Sequence, residues 1–262
     1  RWKLPVWHLE DGLLRSLAKG REQPPLALMV DDLGVHFDAT QPSRLEQRIA
    51  EPIEPEQARR ARQLQGLWCD LRLSKVNPAQ ESPPPRQPFV LVVDQSAGDC
   101  SIALGLAGPQ RFQQMLSEAL RDHPDCSVVV KVHPDVIHGR ARGHFRRHDL
   151  QNPRIHLCAD GLHPAALLEQ ARAVYVVTSQ MGFEALLWGK SVHCFGMPFY
   201  AGWGLTTDRL PAPARRRTGI ALEALVHSAL VAGTRCVDPH RHRPCSIEEL
   251  MRAIGLQRQL QG

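Results

Sequence analysis

The sequence predicts an α/β protein built around a parallel sheet. Short apolar runs of strand type, 89–93, 127–132, 154–157, 174–177 and 192–195, most of them rich in Val, recur along its middle. Helix-patterned stretches separate most of them, the signature of βαβ units with a sheet covered on both faces. A proline-rich stretch at 78–88 precedes this series and divides it from a differently patterned N-terminal part. In open parallel sheets ligands bind beyond the carboxyl ends of the strands, so residues just after each run are the first place to look for function.

Element by element, 26–30 reads as a strand and Asp31-Asp32-Leu33-Gly34 as a turn, with a second strand at 35–37. From Ser43 to Leu73 the apolar positions recur at helical spacing, with Ser43 as cap and Glu46 completing a capping box. Five prolines between 77 and 88 then exclude helix or central strand, giving a partition of 1–77, a linker at 78–88, and 89–262. After the first Val-rich run comes a Gly-containing turn at 95–98. Helices are expected at 109–123, 164–170 and 182–188, and the tail from 219 to 260 reads as mostly helical.

The chain has 262 residues with 43% hydrophobic and 23% charged, ordinary values for a globular protein with a real core. There is no run of eighteen apolar residues and no charged-then-apolar leader at the start. The chain begins with Arg1 inside an apolar context, the pattern expected of a piece of something longer. Seven cysteines, odd in number and without C-x-x-C spacing, read as free thiols in a reducing compartment. Thirteen histidines form no H-E-x-x-H motif, and Arg146 and Arg147 lie between His144 and His148, so no metal site is expected. A net charge of +5 with pI near 9.0 asks for an anionic partner. The Arg clusters at 140–147 and 215–217 come with no RNP-like strand or recognition-helix pattern, so nucleic acid is not expected. An anionic donor or an acidic membrane surface accounts for the charge.

Three groups converge on the predicted ligand edge: Asp94-Gln95 with Asp99 and Ser101 after the first run, His133 after the second, and Thr178-Ser179-Gln180 with Gly182 and Glu184 after the fourth. Small polar residues opening a helix present free N–H groups to a phosphate, and Glu184 is placed to accept from a ribose diol. Read structurally instead, Ser179 is a helix cap and Glu184 a first-turn acid. His-Pro occurs at 123, 133 and 163, but only His133 ends a strand run. Lys131, mid-strand in a covered sheet, reads as functional or paired, since burying it otherwise is costly. Asp94 is the candidate reactive carboxylate; Asp99 is its rival, or else a turn cap. Glu10-Asp11-Gly12, followed by Arg15, reads as a second acidic group, each negative charge raising its neighbour's proton affinity, or else as a simple capped turn. Trp203, between two glycines in the aromatic segment 195–206, is a stacking platform for a sugar or a lipid headgroup, or a loop-to-core anchor.

Five stretches occur in order: Glu-Asp-Gly-Leu-Leu-Arg-Ser, Val-Asp-Gln-Ser-Ala-Gly-Asp, Lys-Val-His-Pro-Asp-Val, Val-Val-Thr-Ser-Gln-Met-Gly-Phe-Glu-Ala-Leu, and His-Cys-Phe-Gly-Met-Pro-Phe-Tyr-Ala-Gly-Trp-Gly-Leu-Thr. Together they resemble the capsule polysaccharide biosynthesis proteins of the KpsC/LipA type, bacterial retaining β-Kdo glycosyltransferases. More loosely they resemble bacterial sialyl- and polysialyltransferases. The resemblance implies a GT-B-like fold, two Rossmann-like lobes with parallel sheets facing a cleft, here with an incomplete N-terminal lobe. It implies CMP-β-Kdo as donor, a glycolipid acceptor in capsule linker synthesis and no metal or other cofactor. It also implies a cytoplasmic protein, peripheral on the inner face of the bacterial inner membrane, with other capsule assembly proteins as partners. By the same resemblance Thr178, Ser179 and His133 hold the CMP phosphate and Glu184 the ribose. Retention through two inversions requires a carboxylate nucleophile, assigned to Asp94, with Asp11 as general base and the opposite assignment open. The alternatives are an inverting transferase using CMP-sialic acid and a truncated nucleotide-binding module without turnover.

Overall fold

The computed structural model describes residues 6–18, 23–132, 136, 142–159 and 161–261. Its strands are β1 His8–Asp11, β2 Ala27–Asp31, β3 Phe89–Val93, β4 Ser127–Lys131, β5 Ile155–Cys158, β6 Ala173–Val176, β7 Ser191–Cys194, β8 Thr207–Asp208, β9 Thr234–Val237 and β10 Pro244–Cys245. The helices are α1 Arg44–Ala50, α2 Pro55–Asp70, α3 Cys100–Leu104, α4 Gln110–Asp122, α5 Ala165–Gln170, α6 Met181–Leu187, α7 Leu222–Val226, which runs on as a π-helical stretch His227–Ala232, and α8 Ile247–Gln261.

The predicted parallel sheet is present, in the order β5-β4-β3-β6-β7-β8 with every pairing parallel. Its central strands are buried on both sides. Along β3, Phe89, Leu91 and Val93 face the larger core while Val90 and Val92 face a second cluster with Phe112 and Met115 of α4. A strand whose two faces both lie under helices has no polar side to show, which is why these runs read as continuous Val-rich segments. The chain leaves β3 for β4 and β5 on one side, then crosses to β6 on the other. The β3/β6 boundary is therefore the switch point at which a crevice opens beyond the strand ends.

The second sheet departs from expectation. It runs β1-β2-β9-β10 and each pairing is antiparallel, so among the described residues the parallel sheet predicted for both lobes exists only in the donor-side lobe. No strand forms at 35–37. The Asp31 carboxylate accepts backbone N–H bonds from Leu33, Gly34, Arg44 and Leu45, turning the chain directly into α1, and β2 pairs with β1 and β9 instead. The tail is mostly helical as expected, over 222–232 and 247–261, but it also carries β9 and β10 and does not all belong to the donor lobe. Residues 234–245 complete the N-terminal sheet, and α8 contacts both β9 and α2.

The helix expected across 43–73 is two helices, broken where Pro52 and Pro55 cannot continue one. Ser43 does cap α1, accepting the Glu46 N–H at 3.1 Å. The Glu46 side chain does not close the box; its oxygens accept from Arg215 and Arg216. The segment at 78–88 connects the lobes under restraint. Its Ser82 N–H donates to the His163 carbonyl and its Gln80 carbonyl accepts the His163 N–H, both at 2.9 Å, while Glu81 accepts from Arg72 and Arg258.

Candidate functional site

At the β3/β6 switch point the strand ends are cross-linked by side chains. Gln95, one residue past Asp94, donates from Nε2 to Thr178 Oγ1 at 3.0 Å and accepts the Thr178 N–H at 2.9 Å through Oε1. Ser101 Oγ lies 3.0 Å from Thr178 Oγ1, and Asp99 caps α3 by accepting the Ser101 N–H at 2.9 Å. So Gln95, Asp99, Ser101 and Thr178, read separately along the chain, form one polar cluster. Ser179 follows at once. Its hydroxyl accepts the Met181 N–H, and its carbonyl accepts the Tyr200 hydroxyl. Tyr200 gets that close because Gly182 has no side chain; a Cβ there would collide with the phenol.

Asp94 lies at the sheet edge and is enclosed, only 4% exposed. Its carboxylate accepts the Gln95 N–H at 2.9 Å and the His144 N–H at 3.2 Å, and His144 Nδ1 is 3.3 Å away. The His144 ring in turn stacks on Phe112 with centroids 3.7 Å apart. The segment around His144, dismissed as a metal ligand on sequence, thus packs over the candidate nucleophile. His133, the other expected catalytic group on this edge, lies outside the described residues. Lys131 is paired as anticipated, its ammonium 3.3 Å from the Leu162 carbonyl.

Across from this edge the Glu10-Asp11-Gly12 turn ends β1. Asp11 is far more accessible than Asp94, its side chain 42% exposed, with one oxygen 2.6 Å from Arg15 Nε. Arg15 also donates to Ser16 Oγ and to the Ala18 and Gln23 carbonyls, so it braces this turn. Burial raises the proton affinity of Glu10, Lys75 opposes that rise, and Asp11 and Asp99 add to it. That Asp99 acts on Glu10 puts the two acidic groups within electrostatic reach of one another across the lobes. His36, edge-on to Phe199 of the donor-side lobe, is held neutral by burial and by Lys75, its pKa pulled down to about 4.

Two expected ligand contacts take other roles here. Glu184 is 1% exposed, and its carboxylate accepts from the Ser74 hydroxyl at 2.7 Å, the Lys75 N–H at 3.1 Å and Gln180 Nε2 at 3.2 Å. A carboxylate this enclosed ties lobe to lobe rather than offering itself to a ribose. Burial pushes its pKa up to about 7, against the pull of those donors. Gln180 joins the same latch, its Nε2 also donating to the Leu13 carbonyl at 2.6 Å. Trp203 is fully buried, its Nε1 donating to the Phe199 carbonyl at 2.8 Å with the Arg216 guanidinium over the ring. It is the loop-to-core anchor and not a stacking surface. Ser74 and Lys75 follow no strand run and no motif, and the contacts of His36, His144 and Tyr200 are long-range, so only folding shows what these five residues do.

The comparisons agree with the motif reading. The capsule polysaccharide modification protein LipA of Neisseria meningitidis serogroup A is 40% identical over 253 residues, covering 91% of this chain and 36% of LipA. The chain thus spans about a third of that relative's length. Among solved structures, Thermosulfurimonas dismutans KpsC, beta Kdo 2,4 transferase, is 39% identical with a TM-score of 0.89, covering 97% of this chain and 80% of that one. The beta Kdo 2,7 transferase of the same KpsC is 30% identical with a TM-score of 0.77, covering 97% and 78%. These likenesses agree with an α/β, GT-B-like pair of lobes. The profile of the capsule polysaccharide biosynthesis proteins matches residues 1–65 and 56–235, and the chain belongs to that family.

Proposed function

We propose that this chain is a glycosyltransferase module that moves β-Kdo from CMP-β-Kdo to a glycolipid acceptor during capsule linker synthesis, with retention of configuration. The observation that supports this best is the Gln95–Ser101–Thr178 cluster at the switch point, facing the Glu10-Asp11-Gly12 turn, in a chain so similar to the two Kdo transferases. In this reading Thr178, Ser179 and His133 receive the CMP phosphate. An Asp94 oxygen attacks the anomeric carbon as the bond to the phosphate oxygen breaks, and CMP leaves with that electron pair. The acceptor hydroxyl then attacks the same carbon, the Asp94 carboxylate departs, and the hydroxyl proton passes to Asp11. Two inversions amount to retention. Because Asp94 is enclosed, turnover requires the segment around His144 to shift away from it. The acceptor, a lipid at the inner leaflet, suits a chain of net charge +5.

The test supplies CMP-Kdo or CMP-sialic acid to the chain and follows CMP release, with intact-mass analysis after donor alone. The expected result is release from CMP-Kdo and a Kdo adduct on Asp94 that is lost in Asp94→Asn. Release from CMP-sialic acid only would overturn the donor. An adduct on Asp11 would exchange the two carboxylate roles.

A further inference from the structure

Lys75 sits at the join between the lobes, and its backbone is fixed from both sides. Its carbonyl accepts the Arg15 N–H at 2.8 Å, and its own N–H donates to Glu184 Oε1 at 3.1 Å. Arg15 belongs to the segment that opens with Glu10-Asp11-Gly12, and Glu184 to the helix that follows Thr178 and Ser179. One residue is therefore clamped between the two halves of the cleft. Its side chain is half-buried, and among the described residues its ammonium makes no hydrogen bond or close ion pair. Its charge acts on Glu10 and His36 on one side of the join and on Glu184 on the other. Among the described residues other cations are paired: Arg15 with Asp11, Arg215 and Arg216 with Glu46, Lys131 with the Leu162 carbonyl.

Among the described residues the acidic groups Glu10, Asp11 and Asp99 gather at this join, with Asp94 enclosed behind them. Such surroundings repel an acidic sugar unless a cation offsets them. In a 2-keto sugar acid the carboxylate is bonded to the anomeric carbon itself, and so lies next to the phosphate of the activated donor. A residue anchored to the helix behind the phosphate-site residues is in place to meet it.

We propose that Lys75 binds the carboxylate of the donor's sugar acid and thereby selects an acidic over a neutral sugar. This rests on the CMP-linked donor proposed above. The test is calorimetric titration of CMP and of CMP-Kdo into the chain and into its Lys75→Gln and Lys75→Arg variants. Lys75→Gln is expected to bind CMP as the parent does and CMP-Kdo about 10- to 100-fold more weakly, the loss of one charge-assisted hydrogen bond. Lys75→Arg is expected to recover most of that loss. Unchanged CMP-Kdo affinity in Lys75→Gln overturns the assignment while leaving the donor reading intact. Equal loss of CMP and CMP-Kdo overturns it in favour of a structural role. A parent chain that binds CMP but not CMP-Kdo overturns the donor reading and the assignment together.

Discussion

The two sheets of this molecule are built by opposite routes. In the six-stranded sheet the four strands β3, β4, β6 and β7 are joined by crossovers that cover both faces, and the whole of β3, β4 and β6 is buried. In the four-stranded sheet β1 and β2 come from the first part of the chain and β9 and β10 from the last, and β1 leaves Leu9 58% exposed. One sheet is a local product of consecutive units, the other a meeting of distant segments. The donor-side residues are thus set on a rigid, doubly covered edge, while the acidic turn facing them hangs on an edge strand.

Val92→Asp gives the largest contrast. Val92 is fully buried in the second core cluster, and an unpaired carboxylate there costs several kcal/mol, comparable with the stability of a whole domain. Calorimetry should show no cooperative unfolding transition; a melt within a few degrees of the parent would mean that this sheet is far less tightly covered than described.

The latch between the two regions is next. Glu184 has its pKa raised from 4.5 to about 7, chiefly by burial. A raised folded pKa means that its contribution is fully present below pH 4.5 and is lost as pH rises through about 7. The shift corresponds to at most about 3 kcal/mol. Denaturant titrations across this window should show the parent losing stability with rising pH relative to Glu184→Gln. Parallel profiles for the two proteins would remove Glu184 from the latch.

Leu9→Asp should do least. On the exposed edge strand it is expected to change stability by no more than about 0.5 kcal/mol, a shift of a degree or two in Tm. A fall as large as that of a core substitution would show that the edge of β1 is covered in solution and that the two sheets are equally protected.

Much of the site was legible along the chain where it follows a strand run. Asp94, Gln95, Thr178 and Ser179 were found because a parallel sheet puts its ligands at strand ends, and Val-rich runs mark those ends. Glu184 and Trp203 were identified as important residues, but their partners were not. Glu184 meets Ser74 and Lys75 across more than a hundred positions of sequence, and Trp203 turns inward on Phe199 and Arg216. Neither contact leaves a periodic trace. Pro52 and Pro55 did carry a readable signal, a helix break that the apolar spacing of 43–73 masked.

By itself the sequence determined the parallel sheet, its order of units, the edge on which small polar residues gather, and the family to which the five motifs belong. These follow from short-range rules: β-branched runs buried on both faces, helices between them, small polar residues where a strand gives way to a helix. Tertiary structure alone decided that the chain's last strands complete its first sheet, that Asp94 lies beneath His144, and that Lys75 stands between the lobes. Those outcomes depend on which distant segments exclude water from one another, and no local pattern records that choice.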